Sequence, residues 1–124
     1  MAKLADDTVL DGLLNVIKNN ATEIYVCSTQ PTTRTEAATT YMLAAKTGLT
    51  SGSYTGPVNG DTNGRKLTVN QNSTITVTNT GSAQHVALCS GSALLYVTTC
   101  TTQSLTSGNT VTIPAWDIEV ADPS

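Results

Sequence analysis

A chain of 124 residues with six Lys and Arg against nine Asp and Glu carries a formal charge of -3, and Arg65-Lys66 is its only adjacent basic pair. Binding to nucleic acid needs a clustered basic face and crossing a bilayer needs a long apolar run, so neither nucleic acid nor membrane is expected as a partner. With no Phe, one Trp, four Tyr and about a fifth Thr, the chain predicts one domain over residues 1–124, with an aliphatic core and strands joined by turns.

The first expected element is a helix over about residues 6–19. Asp6 or Asp7 opens it, Thr8 with Asp11 makes a weak capping box, and Lys18-Asn19-Asn20 closes it. Val9, Leu10, Leu13, Leu14 and Ile17 recur at helical spacing, a stripe that needs cover from the sheet or from a neighbouring subunit. The opening Met-Ala-Lys-Leu-Ala-Asp-Asp lacks the apolar segment of a secretory signal, which predicts synthesis in a cytoplasm. Residues 23–28 read as a strand, with Ile24 and Val26 on one face and Tyr25 and Cys27 on the other. Gln30-Pro31-Thr32-Thr33 breaks it, and Thr33 with Glu36 caps a single helical turn. Residues 40–46 are either a continued helix or a second strand, and Thr-Tyr and the short length favour strand. Residues 48–64, with Gly52, Gly56-Pro57, Asn59-Gly60 and Asn63-Gly64, read as one long turn-rich connection.

From Arg65 the alternation is regular. Leu67 and Val69 mark one strand and Ile75 and Val77 the next, with Gln71-Asn72-Ser73 between them and Asn79-Thr80-Gly81-Ser82 after them. A hairpin follows, its arms flanking the four-residue connection Ser90-Gly91-Ser92-Ala93. An unbroken ladder from that turn pairs Cys89 with Leu94, Ala87 with Tyr96 and His85 with Thr98. Val86, Leu88, Leu95 and Val97 then share a core face, with His85, Ala87, Cys89, Tyr96, Thr98 and Cys100 on the other. After a turn at Thr106-Ser107-Gly108-Asn109, Val111 and Ile113 form a strand that Pro114 interrupts, and Trp116, Ile118 and Val120 form the last. Short strands at this spacing predict a mainly β chain: an antiparallel β-sandwich, Ig-like or jelly-roll-like, with a short N-terminal α-helix.

Few residues here suit chemistry. His85 is the sole histidine, and Cys27, Cys89 and Cys100 lack the paired spacing of a zinc site, so neither metal nor cofactor is expected. His85 and Cys89 share a face but lie four strand positions apart, roughly 13 Å, too far for a nucleophile pair. Free thiols are the default, with at least two of the three cysteines acting as small buried hydrophobes and a Cys27–Cys100 disulfide left open. Asp117, Glu119 and Asp122 form an acidic end, a solvated or partner-facing strand tip, with weak calcium binding there or at Asp61 the lesser alternative. Tyr25, Tyr41, Tyr54 and Tyr96 would serve either as a sugar-stacking platform or as interface anchors.

The most informative stretch is the one that lacks something: from Leu67 through Trp116 there is no Asp, Glu, Lys or Arg. Mixed charges keep ordinary surfaces apart and discourage sheet edges from pairing. A β surface without them suits contact with another protein. The candidate interface residues are Leu10, Leu13, Ile17, Tyr54, His85, Tyr96 and Trp116, and no catalytic residue is assigned.

Several phrases together resemble a family of small structural proteins of tailed bacteriophages and prophages. They are Asp7-Thr8-Val9-Leu10-Asp11; Val26-Cys27-Ser28, Gln30-Pro31-Thr32-Thr33 and Thr35-Glu36-Ala37; and Gly60-Asp61-Thr62-Asn63-Gly64-Arg65-Lys66. His85-Val86-Ala87-Leu88, Leu94-Leu95-Tyr96-Val97-Thr98, and the ending Ile113-Pro114-Ala115-Trp116-Asp117-Ile118-Glu119 with Asp122-Pro123 complete the set. The resemblance implies a non-enzymatic virion protein made in the host bacterial cytoplasm, with the major capsid protein or other virion proteins as partners and a homo-oligomeric state. A small domain without a coiled coil or long fibre repeat then favours a capsid decoration protein, with a tail, collar or fibre component or a carbohydrate-binding host-attachment module as the alternative.

Overall fold

Alternation of apolar and polar side chains produces nine strands among the residues described by the computed structural model, which are 6–61 and 64–120. Helix α1 (Asp7–Asn20) precedes β1 (Glu23–Cys27), β2 (Met42–Lys46), β3 (Tyr54–Asn59), β4 (Arg65–Val69) and β5 (Asn72–Thr76). Then come β6 (Gly81–Cys89), β7 (Leu94–Leu105), β8 (Thr110–Ile113) and β9 (Trp116–Val120). All pairings are antiparallel: a four-stranded sheet in the order β2-β1-β6-β7, a three-stranded sheet β3-β4-β9, and the pair β5-β8. The chain is therefore mainly β and sandwich-like, with one N-terminal helix.

The main core lies where the sheets face one another. Ile24 and Leu88 from the four-stranded sheet meet Leu67 and Ile118 from the three-stranded one, with Ile75 from β5 and Leu14 from the helix. A second, smaller core covers the opposite face of β1 and β6, where Tyr25, Cys27, Ala87 and Cys89 pack against Ala37. Ala37 sits in a π-helical turn over Glu36–Thr40, so the predicted single helical turn exists and acts as a lid. It is held by Thr33 Oγ1, which accepts from the Glu36 amide at 3.1 Å, and by Glu36 Oε1, which accepts from the Thr32 amide at 2.8 Å. Arg34 locks the lid onto the sheet by donating to Glu23 Oε1 at 2.7 Å and to the Ser90 carbonyl at 2.8 Å.

Four expectations need correction. Residues 48–64 are not one connection: a 3-10 turn over Ser51–Ser53 leads into strand β3. Gly56 and Pro57 masked that strand; proline is tolerated there because β3 lies at the edge of its sheet, beside a register break between Thr55 and Val58. Asn72 belongs to β5 instead of a turn and is buried, its amide donating to the Asn70 carbonyl at 3.1 Å.

The hairpin register also differs. Cys89 does pair with Leu94, but a bulge at Leu95 shifts the rest, so that Leu88 pairs with Tyr96, Ala87 with Val97 and His85 with Thr99. One extra residue exchanges the faces of the following strand. Tyr96 and Cys100 accordingly pack on the main core with Val86 and Leu88, while Val97 joins Ala87 and Cys89 on the smaller one. Finally, the helix cap is Asp6 alone: its carboxylate accepts from the Thr8 amide at 3.0 Å, while Asp11 turns away to Arg65 in place of closing a capping box.

Candidate functional site

Helix α1 is fixed by one flank and half of its apolar arc. Arg65 on β4 donates through Nε to Asp11 Oδ1 at 2.7 Å and through Nη2 to Asp11 Oδ2 at 3.2 Å, a two-pronged contact. The same guanidinium reaches Asn59 Oδ1 at 2.8 Å and the Pro57 carbonyl at 3.2 Å, so it ties the helix to β3 and β4 at once. At the other end of the helix Lys18 Nζ donates to the Gly56 carbonyl at 2.6 Å. Leu10 and Leu14 are buried and Ile17 packs half-buried against the core.

The rest of the predicted stripe is uncovered. Val9, Leu13 and Val16 are 61 %, 56 % and 52 % exposed, and with Val58 on β3 they are the exposed large hydrophobic side chains among the described residues. Residues 9, 13 and 16 stand four and three positions apart, on one helix face. Val16 escaped the sequence reading, which assigned the apolar positions to one stripe when there are two; the spacing from Val9 and Leu13 was its available signal.

The predicted interface residues therefore separate. Leu13 is displayed and Ile17 lies at the margin, whereas Leu10 and Tyr54 are each 4 % exposed and belong to the core, which corrects their assignment. Tyr54 donates its hydroxyl to the Ala21 carbonyl at 2.7 Å, and burial pushes its phenol up to about 12. Tyr25 is buried too and donates to Glu23 Oε1 at 2.9 Å, which removes two of the four tyrosines from any sugar-stacking platform. Tyr96 and Trp116 stack with ring centroids 5.9 Å apart and planes 26° from parallel, closing the core between β7 and β9. Half-buried His85 stands on β6 opposite Cys27 of β1 and Thr99 of β7; its Nδ1 and the indole nitrogen of Trp116 are buried without a protein partner.

Beside that stack runs a groove between β7 and the β8–β9 segment. Two adjoining hollows of about 270 and 290 Å³ share Val86, Cys100, Ile113 and Pro114. Their lining is apolar with hydroxyls and the Gln103 carboxamide, and its one carboxylate, Asp117, already accepts from Thr68 Oγ1 at 2.7 Å and from Lys66 Nζ at 3.5 Å. Lys66 Nζ also donates to Asp61 Oδ1 at 2.7 Å, so one ammonium group is shared by Asp61 and Asp117, two of the carboxylates named for calcium. Glu119 Oε1 accepts from the Asp61 amide at 2.9 Å, and Asp122 lies outside the described residues. Among the described residues no three His, Cys, Asp or Glu side chains converge as a metal site would need, and no helix is long and apolar enough to cross a membrane.

All three cysteines are free thiols. Cys27 and Cys100 pack on opposite faces of the four-stranded sheet, which rules out the disulfide left open between them. Burial raises the Cys27 thiol to about 12 and the Cys89 thiol to about 11, and Cys27 Sγ donates to the Ala37 carbonyl at 3.6 Å. Such thiols pack as small hydrophobes. Comparison with family models, with curated proteins and with solved structures finds no match to this chain.

Proposed function

We propose that this chain is a non-enzymatic structural protein of a tailed-phage virion, a capsid decoration protein that docks on the major capsid protein. The observation that carries the reading is the uncovered row Val9, Leu13 and Val16 on a helix whose own charges are directed elsewhere: Asp11 to Arg65 and Lys18 to Gly56. Exposed apolar rows on an anchored helix mark contact sites. A small patch gains strength when symmetry repeats it many times, which suits a shell ornament. The uncharged run from Leu67 through Trp116 supports the same reading, because a surface without ions loses little when it is covered.

The test is stoichiometry and docking. Purified chain is added to phage heads stripped of it, and bound copies are counted by quantitative mass spectrometry and by electron microscopy. Hundreds of copies spread over the head agree with decoration, with Leu13→Asp abolishing the binding. A few copies at a collar or tail tip would replace decoration with a tail or attachment role, and no particle association would overturn the virion reading altogether.

A further inference from the structure

Sheet edges are sites where unpaired backbone groups recruit other strands, and folded proteins close them with charge, proline or covering segments. Three of the edges here are closed in those ways. The outer side of β2 is covered by the following chain: the Leu43 carbonyl accepts from the amides of Thr78 and Asn79 at 2.8 and 3.1 Å, and the Met42 carbonyl accepts from Asn79 Nδ2 at 2.8 Å. On β3, Pro57 removes a donor, while the Gly56 and Pro57 carbonyls accept from Lys18 and Arg65. On β9, Asp117 and Glu119 place carboxylates along the strand.

The edge at β7 has none of these. It spans Leu94–Leu105, the longest strand described, without a charge or a proline, and among the described residues it pairs with β6 alone. It carries two irregularities, the bulge at Leu95 and a larger one opposite Gln84. Between the pairs Ala83–Gln103 and His85–Thr99, three β7 residues, Cys100, Thr101 and Thr102, stand opposite Gln84 alone. A bulge of this kind leaves its extra residues outside the β6 ladder and bends the strand, so a chain that pairs along this edge must follow the same bend.

We infer that two copies of this chain pair antiparallel through β7, about a two-fold axis at Cys100. The second copy is the occupant because an axis at that residue matches threonine with threonine at the two pairs of positions nearest it. Thr99 and Thr98 on one side mirror Thr101 and Thr102 on the other, and Leu95 mirrors Leu105. A two-fold contact there also sets Val97 opposite Gln103 and Tyr96 opposite Ser104. It sets Thr99 opposite Thr101 of the second copy and Thr98 opposite Thr102, pairings that stabilise antiparallel sheets. Charge agrees. Each chain carries a formal charge of -3 but β7 itself carries none, and the one carboxylate lining the groove beside it, Asp117, accepts from Lys66. The contact needs only the free edge and holds whether or not the chain belongs to a virion.

Sedimentation velocity of the purified full chain at neutral pH tests it, and a dimer is expected. The double variant Thr99→Lys with Thr101→Lys places ammonium groups opposite each other twice across the axis and should weaken dimerisation at least tenfold. Both positions are exposed, so the circular dichroism spectrum and melting temperature of the variant should match the parent. The double variant Thr99→Glu with Thr101→Glu should likewise be monomeric alone, and an equimolar mixture of the two should pair again. A monomeric parent, as expected if the edge receives a different protein, would overturn the inference, as would a dimer indifferent to the paired lysines or a mixture that stays apart.

Discussion

Leu13 and Leu14 are neighbours in sequence, identical in chemistry and opposite in circumstance: one is 56 % exposed and the other 1 %. Leu14→Ala removes buried methyl and methylene groups from the main core and leaves a void where α1 meets the sheets, a change that destabilises by about 2–5 kcal/mol. For a chain of 124 residues that corresponds to a drop in melting temperature of roughly 10–20 °C. Leu13→Ala removes the same atoms from a side chain that water already reaches, and alanine is at least as good a helix former, so its effect should stay within about 0.5 kcal/mol. Thermal and urea unfolding followed by circular dichroism at neutral pH measures both. Equal losses at the two positions would mean that the outer face of the helix is covered in the isolated chain, and the proposed docking row would no longer exist.

Other consequences are as direct. Arg65→Ala removes the link from α1 to both β3 and β4 and should lower the melting temperature more than Lys66→Ala, with Arg65→Lys recovering only part because an ammonium group cannot grip Asp11 with two prongs. Alkaline pH should unfold the protein early. The raised values of Cys27, Cys89, Tyr25 and Tyr54, about 12, 11, 12 and 12, mean that the unfolded chain loses these protons first. Stability is then full below about pH 8.5, where the unfolded thiols begin to ionise, and falls as pH rises through 11 to 12; urea titrations over that window should show a steadily falling midpoint. Under native conditions a thiol reagent should modify half-buried Cys100 first, with Cys27 and Cys89 following only on unfolding, as peptide mapping of the labelled chain will show.

Much of the fold was legible because the relevant signals are local. Helix α1 follows from Asp6 and a 3.6-residue period, and β6, β8 and β9 follow from alternation between turns. What stayed hidden depended on partners distant in sequence. Strand β3 is written in residues that ordinarily make loops, Tyr-Thr-Gly-Pro-Val-Asn, and becomes a strand only because β4 is there to pair with it. The bulge at Leu95 has no mark of its own in the sequence, yet it moved Tyr96 to the face where Trp116 stacks on it. Leu10 and Leu13 differ by three positions on one helix, and only the placement of the sheet beneath α1 decides which of them is core.

The division of charge among the described residues shows how a small β fold can hold itself together and still leave uncharged surface. Among the described residues ion pairs gather at two places, Arg65 and Lys66 with Asp7, Asp11, Asp61 and Asp117, and Arg34 with Glu23. Each place fastens an element that the sheets alone would hold weakly, the helix in the first case and the lid over the smaller core in the second. Most of this charge is spent within the fold, and β6, β7 and β8 carry none. What those strands present instead is hydroxyls, apolar side chains and, at β7, a long uncharged edge. Contacts of that kind are short-ranged and little screened by salt, so they reward close fit over attraction from a distance. A protein that meets its partners once, in fixed register, and then stays in place has use for such a surface.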